Sequence, residues 1–313
     1  MRVAFLGVGH WHAGMHAKGV VEAGAQITGV WDPDPDAVAG FIAAHGGTPR
    51  SDAAAALDDR PDLVVALGRG PEAASRLGWL IEQDIPVLAD KPIGLSHDDV
   101  APLVEAALQR DRFVAVALVN RIAGVVDAMG DAGRCAHVYF RIINGPPRRY
   151  RDWGVPWMLD ARQSGGGALR NLGVHGIDAF LALAGEQAVR VEHAAFHSIF
   201  GEAVEDYGCV VLRAADGLVG LVEAGYTHPD TGGTYEFRVN AERVAIADTG
   251  TRVITTPDRA TGAAAYVPSS RRYSAFMADT LARVADGRPP CVSLGAFARA
   301  TDLVDRAYRL ALG

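Results

Sequence analysis

Residues 3–20 read VAFLGVGHWHAGMHAKGV. An apolar run, Val3 to Leu6, meets a turn holding Gly7 and Gly9. A helical pattern follows, with Ala13, Ala17, Val20 and Val21 at i, i+4, i+7 and i+8. Such a turn suits the pyrophosphate of a dinucleotide. The first glycine permits the sharp bend, the second lets backbone approach the ligand, and free N–H groups at the helix start attract the anion. Asp32 stands 25 residues after Gly7, at the end of the next apolar run. A carboxylate there accepts hydrogen bonds from a ribose diol and repels a 2′-phosphate. Asp34 and Asp36 follow with no basic neighbour in sequence, so NAD is expected and NADP disfavoured. The position of the usual third glycine is His12. His10, His12 and His16 raise the question of a metal, because His12 and His16 are one helical turn apart. No cysteine, histidine or carboxylate cluster elsewhere completes such a site, and none is expected. Instead His10, Trp11 and His12 should flank the dinucleotide, with the bulk of His12 pushing it or the helix outward and His16 partly buried.

The whole chain sets the limits. With 313 residues it is long enough for two domains, and its 49% hydrophobic and 21% charged residues are those of a globular protein. A net charge of −7 without any long Lys/Arg block argues against nucleic acid and anionic membranes. No signal peptide or membrane-length apolar run is visible. Three scattered cysteines, Cys135, Cys209 and Cys291, match neither a disulfide framework nor a zinc spacing, and suit a reducing cytoplasm.

The elements that must position these residues fall into two styles. Up to about residue 120, short apolar runs (2–6, 26–31, 62–67, 85–89, 113–118) alternate with helical stretches such as 71–83 and 97–110. That predicts a Rossmann-type doubly wound parallel sheet over 1–120. From 134 the rhythm is two-residue: 134–143, 188–200, 204–213, 218–227 and 234–247 read as antiparallel strands, with a helical insertion opening near 167. Helices at 271–286 and 293–312 close the chain. Residues 121–313 thus read as an α+β domain with an open, mostly antiparallel sheet for substrate binding. One face of that sheet lacks an obvious cover, which predicts a homodimer or homotetramer built through it.

Two further stretches carry chemistry. Ala89-Asp90-Lys91-Pro92 ends a strand on the carboxyl edge of the first sheet, where such folds bind ligands. The other is SGGGALRNLGVHGID, residues 164–178. With the N-terminal turn, these resemble the glucose–fructose oxidoreductase/inositol dehydrogenase family of NAD(P)-dependent enzymes over nearly the whole chain. Asp90-Lys91-Pro92 resembles its E/D-K-P motif, Gly165–Asp178 its GGGxxxDxGxHxxD, Asn120-Arg121 its segment after the last Rossmann strand, and Pro290-Cys291-Val292-Ser293 its closing turn.

The resemblance implies hydride transfer between a secondary hydroxyl of a sugar, cyclitol or sugar acid and nicotinamide, with Lys91 and His175 as the catalytic pair. The chemistry is consistent with that. Oxidising an alcohol needs a proton acceptor, and a lysine beside cationic nicotinamide has its pKa lowered. If 167–180 is one α-helix, Asn171, His175 and Asp178 share a face, with Asp178 orienting the His175 ring. Lys91 as a solvated strand-end lysine and His175 as a packed helix residue are the plain alternatives. Leu67, Gly68 and Arg69 replace the family's T-P-N stretch and, with Asp90, Lys91 and Asn120, are assigned to the cofactor, Arg69 to its pyrophosphate or else to an anionic substrate. Asn171 replaces the motif aspartate and cannot titrate, which leaves the proton to His175 or Lys91. Asn171, Asp178, Arg121 and Trp153 are the expected substrate contacts. In RRYRDWGVPW (148–157) a tryptophan could stack on a sugar ring and an arginine could clasp a carboxylate. Two other functions remain open: an NAD-using glycosidase or lyase without net redox, and a non-catalytic NAD-binding sensor.

Overall fold

The structure, a computed structural model, describes residues 1–129, 132–256 and 266–312. The chain divides into two compact units, Met1–Leu118 with Tyr273–Ala298, and Val119–Arg272 with Arg299–Gly313. It therefore passes between them at 118/119, 272/273 and 298/299.

The first unit opens with β1 (Arg2–Leu6), α1 (Ala13–Glu22), β2 (Gln26–Trp31), α2 (Pro35–His45) and β3 (Thr48–Pro49). It continues with β4 (Leu63–Ala66), α3 (Gly70–Glu82), β5 (Val87–Ala89), α4 (His97–Gln109) and β6 (Val114–Val116). All six strands pair in parallel, in the order β3-β2-β1-β4-β5-β6. This is the doubly wound sheet expected, with β3 added at one edge. The runs Val3–Leu6 and Leu63–Ala66 are buried throughout, because helices cover both faces of a parallel sheet.

The second unit carries α5 (Val125–Met129), β7 (Cys135–Asn144), α6 (Arg149–Asp152), α7 (Ala161–Ser164) and α8 (Val174–Ala184). Then come β8 (Val189–His197), β9 (Tyr207–Ala214), β10 (Val219–Gly225), β11 (Gly233–Ala241), β12 (Ala245–Asp248) and β13 (Val253–Thr256). The seven strands are ordered β13-β12-β11-β7-β10-β9-β8. Pairing is antiparallel except for β7 with β10, which run parallel in the middle of the sheet. The run read as one strand over 234–247 is two strands, β11 and β12, folded back on each other. Alternate residues of β9 and β10 are buried, and α8 lies on that face. The approach is close: a Cβ on Gly176 would collide with the Phe140 ring and sit 2.9 Å from Val222 Cγ1. On the other face, half-buried Tyr139 and Tyr207 both donate to Glu223, Tyr207 at 2.6 Å.

The last two helices are α9 (Arg272–Asp286) and α10 (Leu294–Leu312). α9 packs on α1 of the first unit, where a Cβ on Gly19 would come within 2.8 Å of Met277 Cβ.

Gly7 is the tightest point of the first unit. Its φ is +89°, its N–H donates to Trp31 O at 2.8 Å, and a Cβ there would collide with the Leu67 carbonyl. Gly24 also has positive φ, +72°, but faces open space. In urea unfolding, Gly24→Ala should cost only the backbone strain, about 1–2 kcal/mol. Gly7→Ala should cost at least about 3 kcal/mol, strain plus overpacking. Equal losses would refute the close approach.

Candidate functional site

In the first unit the site grows from the carboxyl ends of β1, β2, β4 and β5. Gly7 and Gly9 form the turn between β1 and α1. Gly9 N–H donates to Asp32 Oδ2 at 2.9 Å, and Asp34 N–H to Asp32 Oδ1 at 2.9 Å. The carboxylate at the end of β2 is thereby aimed back over the glycine turn. Arg76, which the sequence reading passed over, arrives from α3. It donates to the Leu67 carbonyl, and its guanidinium stands 5.4 Å from the Trp31 ring centroid within the field of Asp32. Asp32 therefore has a basic neighbour that is remote in sequence. Gly68 lies beside Arg76, whereas the exposed Arg69 side chain faces Glu72 at 3.9 Å.

Asp90 is the centre of this half. It is 1% exposed, and its Oδ2 is 2.8 Å from His12 Nδ1 and 2.9 Å from His16 Nε2. Its Oδ1 accepts the Lys91 backbone N–H at 2.7 Å. Tyr273 from α9 sets its hydroxyl against the edge of the His12 ring, 2.9 Å from Nδ1 and 3.1 Å from Nε2. An ionised Asp90 fixes the tautomers: His12 donates through Nδ1 and accepts from Tyr273, and His16 donates through Nε2.

This corrects one expectation. His16 is fully buried, at 1% exposure, not partly so, and His12 beside it is buried at 8%. Both burials have one cause: a buried carboxylate needs donors, and these rings supply them. Burial drives Asp90 upward, but the charge of His12 and the hydrogen bonds from His12 and His16 hold it well below the usual carboxylate range. Burial pushes His10 and His12 down from the ordinary histidine value, more than Asp90 pulls them up.

Nitrogens of His10 and His12 and an oxygen of Asp90 do lie within 4.8 Å of one another. Yet His10 Nδ1 already accepts the His12 N–H at 3.2 Å, and Asp90 Oδ2 takes two imidazole hydrogens. The donor set is that of a hydrogen-bonded network.

Lys91 follows Asp90, 3% exposed, with its ammonium 5.8 Å from the centroid of the Trp11 ring. Trp11 stacks on His10 at 3.9 Å. A dinucleotide fits this half: a turn with no room for a Cβ at Gly7, a carboxylate on the ribose side, and a buried ammonium at the sheet edge.

In the second unit, Gly165–Gly167 leads into a π-helical turn, Leu169–Gly173, and then α8. Glu205 starts that helix, its carboxylate accepting the N–H groups of Gly167 at 2.9 Å and Leu169 at 3.0 Å. The π turn inserts a residue, so Asn171, His175 and Asp178 do not follow simple α spacing. Asn171 is buried and donates to Tyr150 Oη at 2.7 Å and Tyr226 Oη at 2.9 Å. His175 is 6% exposed in the first turn of α8. Asp178 is gripped by Arg121, with Nη2 at 2.6 Å from Oδ1 and Nε at 3.0 Å from Oδ2. The Asp178 carboxylate expected to orient the histidine thus serves a bidentate ion pair, which satisfies both of its oxygens. Asn120 accepts from Arg272 at 2.7 Å, within the same unit. Trp153 is 51% exposed.

Two family models match the chain: "Oxidoreductase family, NAD-binding Rossmann fold" over residues 1–118 and "GFO/IDH/MocA C-terminal domain" over 126–247. The chain belongs to the GFO/IDH/MocA oxidoreductase family. Its first 118 residues are that family's NAD-binding Rossmann fold.

Solved structures of this family share the fold at low identity. GenD2 from gentamicin A biosynthesis, in complex with NAD, is 22% identical with a TM-score of 0.80, covering 100% of this chain and 94% of its own. A levoglucosan dehydrogenase with NADH and levoglucosan is 18% identical, TM-score 0.83, covering 99% and 98%. An inositol dehydrogenase homologue from Azotobacter vinelandii, complexed with NAD+, is 17% identical, TM-score 0.83, covering 99% and 95%. No curated protein matched. Among the described residues no helix is long and apolar enough to cross a membrane.

The pH dependence of stability follows from the buried histidines. His10 and His12 lie below their ordinary value in the folded state, so below about pH 6.5 the unfolded chain binds more protons and stability falls as pH drops. Asp90 keeps its charge through this window. His12→Asn retains a donor that cannot titrate, so the loss of unfolding free energy between pH 6.5 and 5 should shrink. An unchanged slope would show that His12 is not held neutral.

Proposed function

We propose that this protein is an NAD-dependent dehydrogenase or reductase acting on a secondary hydroxyl of a sugar, cyclitol or sugar acid. The observation that carries the reading is the buried Asp90-Lys91 corner on the carboxyl edge of the parallel sheet. Lys91 is 3% exposed on the edge where such sheets bind ligands, and the ionised Asp90 before it, held by His12 and His16, fixes its place there.

Gly7, Gly9, His10, Trp11 and Asp32 would hold the dinucleotide, with Gly68 and Asp90 behind them and the Arg76 guanidinium beside Asp32. Bound there, NAD supplies the acceptor or donor of hydride. Lys91 holds the hydroxyl oxygen and, partly desolvated, polarises it. His175, at the start of α8, accepts the hydroxyl proton. Asn171 cannot take that proton and acts as a donor. Arg121 and Asp178, which neutralise each other, hold the histidine helix in place.

The half-exposed face with Tyr139, Tyr207 and Glu223 is the proposed contact between copies in a homodimer or homotetramer. A cytoplasmic location fits the odd count of three cysteines.

NADH formation at 340 nm across a panel of polyols, sugars and sugar acids is the test. Lys91→Ala and His175→Ala should each lower kcat by about 10²- to 10⁴-fold. Undiminished turnover in either variant removes that residue from the mechanism, and NAD bound without any turnover across the panel overturns the dehydrogenase reading.

A further inference from the structure

Three arginines are buried among the described residues of the second unit: Arg149 at 6% exposure, Arg170 at 8% and Arg272 at 1%. Two have carboxylates. Arg272 meets Asp248 at 2.6 Å, and Arg170 meets Asp305. Arg149 has none among the described residues. Its Nη2 donates to Tyr150 Oη at 3.0 Å, and its Nε, buried, has no hydrogen-bond partner.

What surrounds Arg149 is aromatic. The guanidinium carbon lies 4.9 Å from the Tyr150 ring centroid, 5.3 Å from Trp153 and 5.7 Å from Tyr226. These faces attract a cation, but far more weakly than a carboxylate would. They supply no acceptor for the open N–H. The hydrogen-bond inventory points the same way. Tyr150 Oη receives one hydrogen from Arg149 and another from Asn171, whose amide also donates to Tyr226. Guanidinium, amide and two hydroxyls converge, and none of the four groups is an anion. Asn171, an amide, brings no negative charge to balance Arg149 through Tyr150. Trp153, half exposed, forms the side of this box that reaches solvent.

We infer that Arg149 is the anchor for a carboxylate on the substrate, so that the hydroxyl oxidised belongs to a sugar acid, an aldonate or uronate, in preference to a neutral polyol. The inference rests on the dehydrogenase reading above and narrows its substrate class. A carboxylate seated in the box accepts from Nε–H and neutralises the one buried guanidinium that lacks an acidic partner among the described residues. Arginine suits this role because its planar fork matches a carboxylate. Trp153 covers the carbon chain that follows.

The test titrates the protein–NADH complex calorimetrically with matched pairs: four- to six-carbon aldonates against their alditols, and uronates against the corresponding aldoses. At least one acid should bind ten-fold or more tightly than its neutral partner. Arg149→Gln should erase that difference, Arg149→Lys should keep part of it, and Asn171→Asp, which introduces an internal anion, should shift preference toward the neutral member. If no acid outbinds its partner, or if Arg149→Gln leaves the preference intact, the anchor is wrong. If Arg149→Gln does not fold, loss of preference in Asn171→Asp with its retention in Arg149→Lys still decides for the anchor, and the opposite pair of results decides against it. Parallel absorbance at 340 nm separates the two readings. Arg149-dependent acid binding without NADH formation sinks hydride transfer and keeps the anchor, whereas turnover of neutral polyols without acid preference does the reverse.

Discussion

One carboxylate organises the nucleotide-binding unit. Asp90 is sealed from water, and leaving such a charge without donors would cost several kcal/mol. It is satisfied by two imidazoles, from the turn after β1 and from α1, and by the Lys91 backbone N–H. The strand that ends in Lys91 is therefore fastened to the first turn and the first helix at one atom, and through Tyr273 to α9. His12 stands where a glycine is usual because the ring has a task beneath the turn. A glycine there would leave Asp90 with a single imidazole.

The second unit solves its charge problems differently. Arg121 with Asp178, Arg170 with Asp305 and Arg272 with Asp248 are closed pairs. Glu205 is consumed by helix N–H groups and Tyr308. Against that background the box of Arg149, Tyr150, Tyr226 and Asn171 stands out as donor-rich. A site that retains an uncompensated cation in a unit whose other buried arginines, among the described residues, are paired is best understood as half of a recognition pair. Asn171, which cannot titrate, supplies no anion to that cation.

Much of this was legible in the sequence, and the losses have physical reasons. Strands β1 and β2, helices α3, α4, α9 and α10, and the two-residue rhythm of β7 to β10 show in hydrophobic periodicity, because each buries a continuous face. The parallel pairing of β7 with β10 did not show, since alternation looks the same in either direction. The two-residue β3 and the split between β11 and β12 were too short or too continuous to separate. The π turn at Leu169–Gly173 was hidden by a motif that reads as plain helix. The glycine turn was legible from local context, and Lys91 and His175 drew notice through the motifs they stand in. Asp90 with His16, 74 residues apart, and Arg76 over Trp31 were not, because nothing local marks the partner of a buried charge.

The most direct test of this account is a double-mutant cycle between Asp90→Asn and His16→Asn in urea unfolding. A shared, buried, charged hydrogen bond predicts a coupling energy of at least about 1.5 kcal/mol, with each single change destabilising. Additivity within about 0.5 kcal/mol would mean that the two groups do not hold each other, and that something other than Asp90 fixes the Lys91 corner.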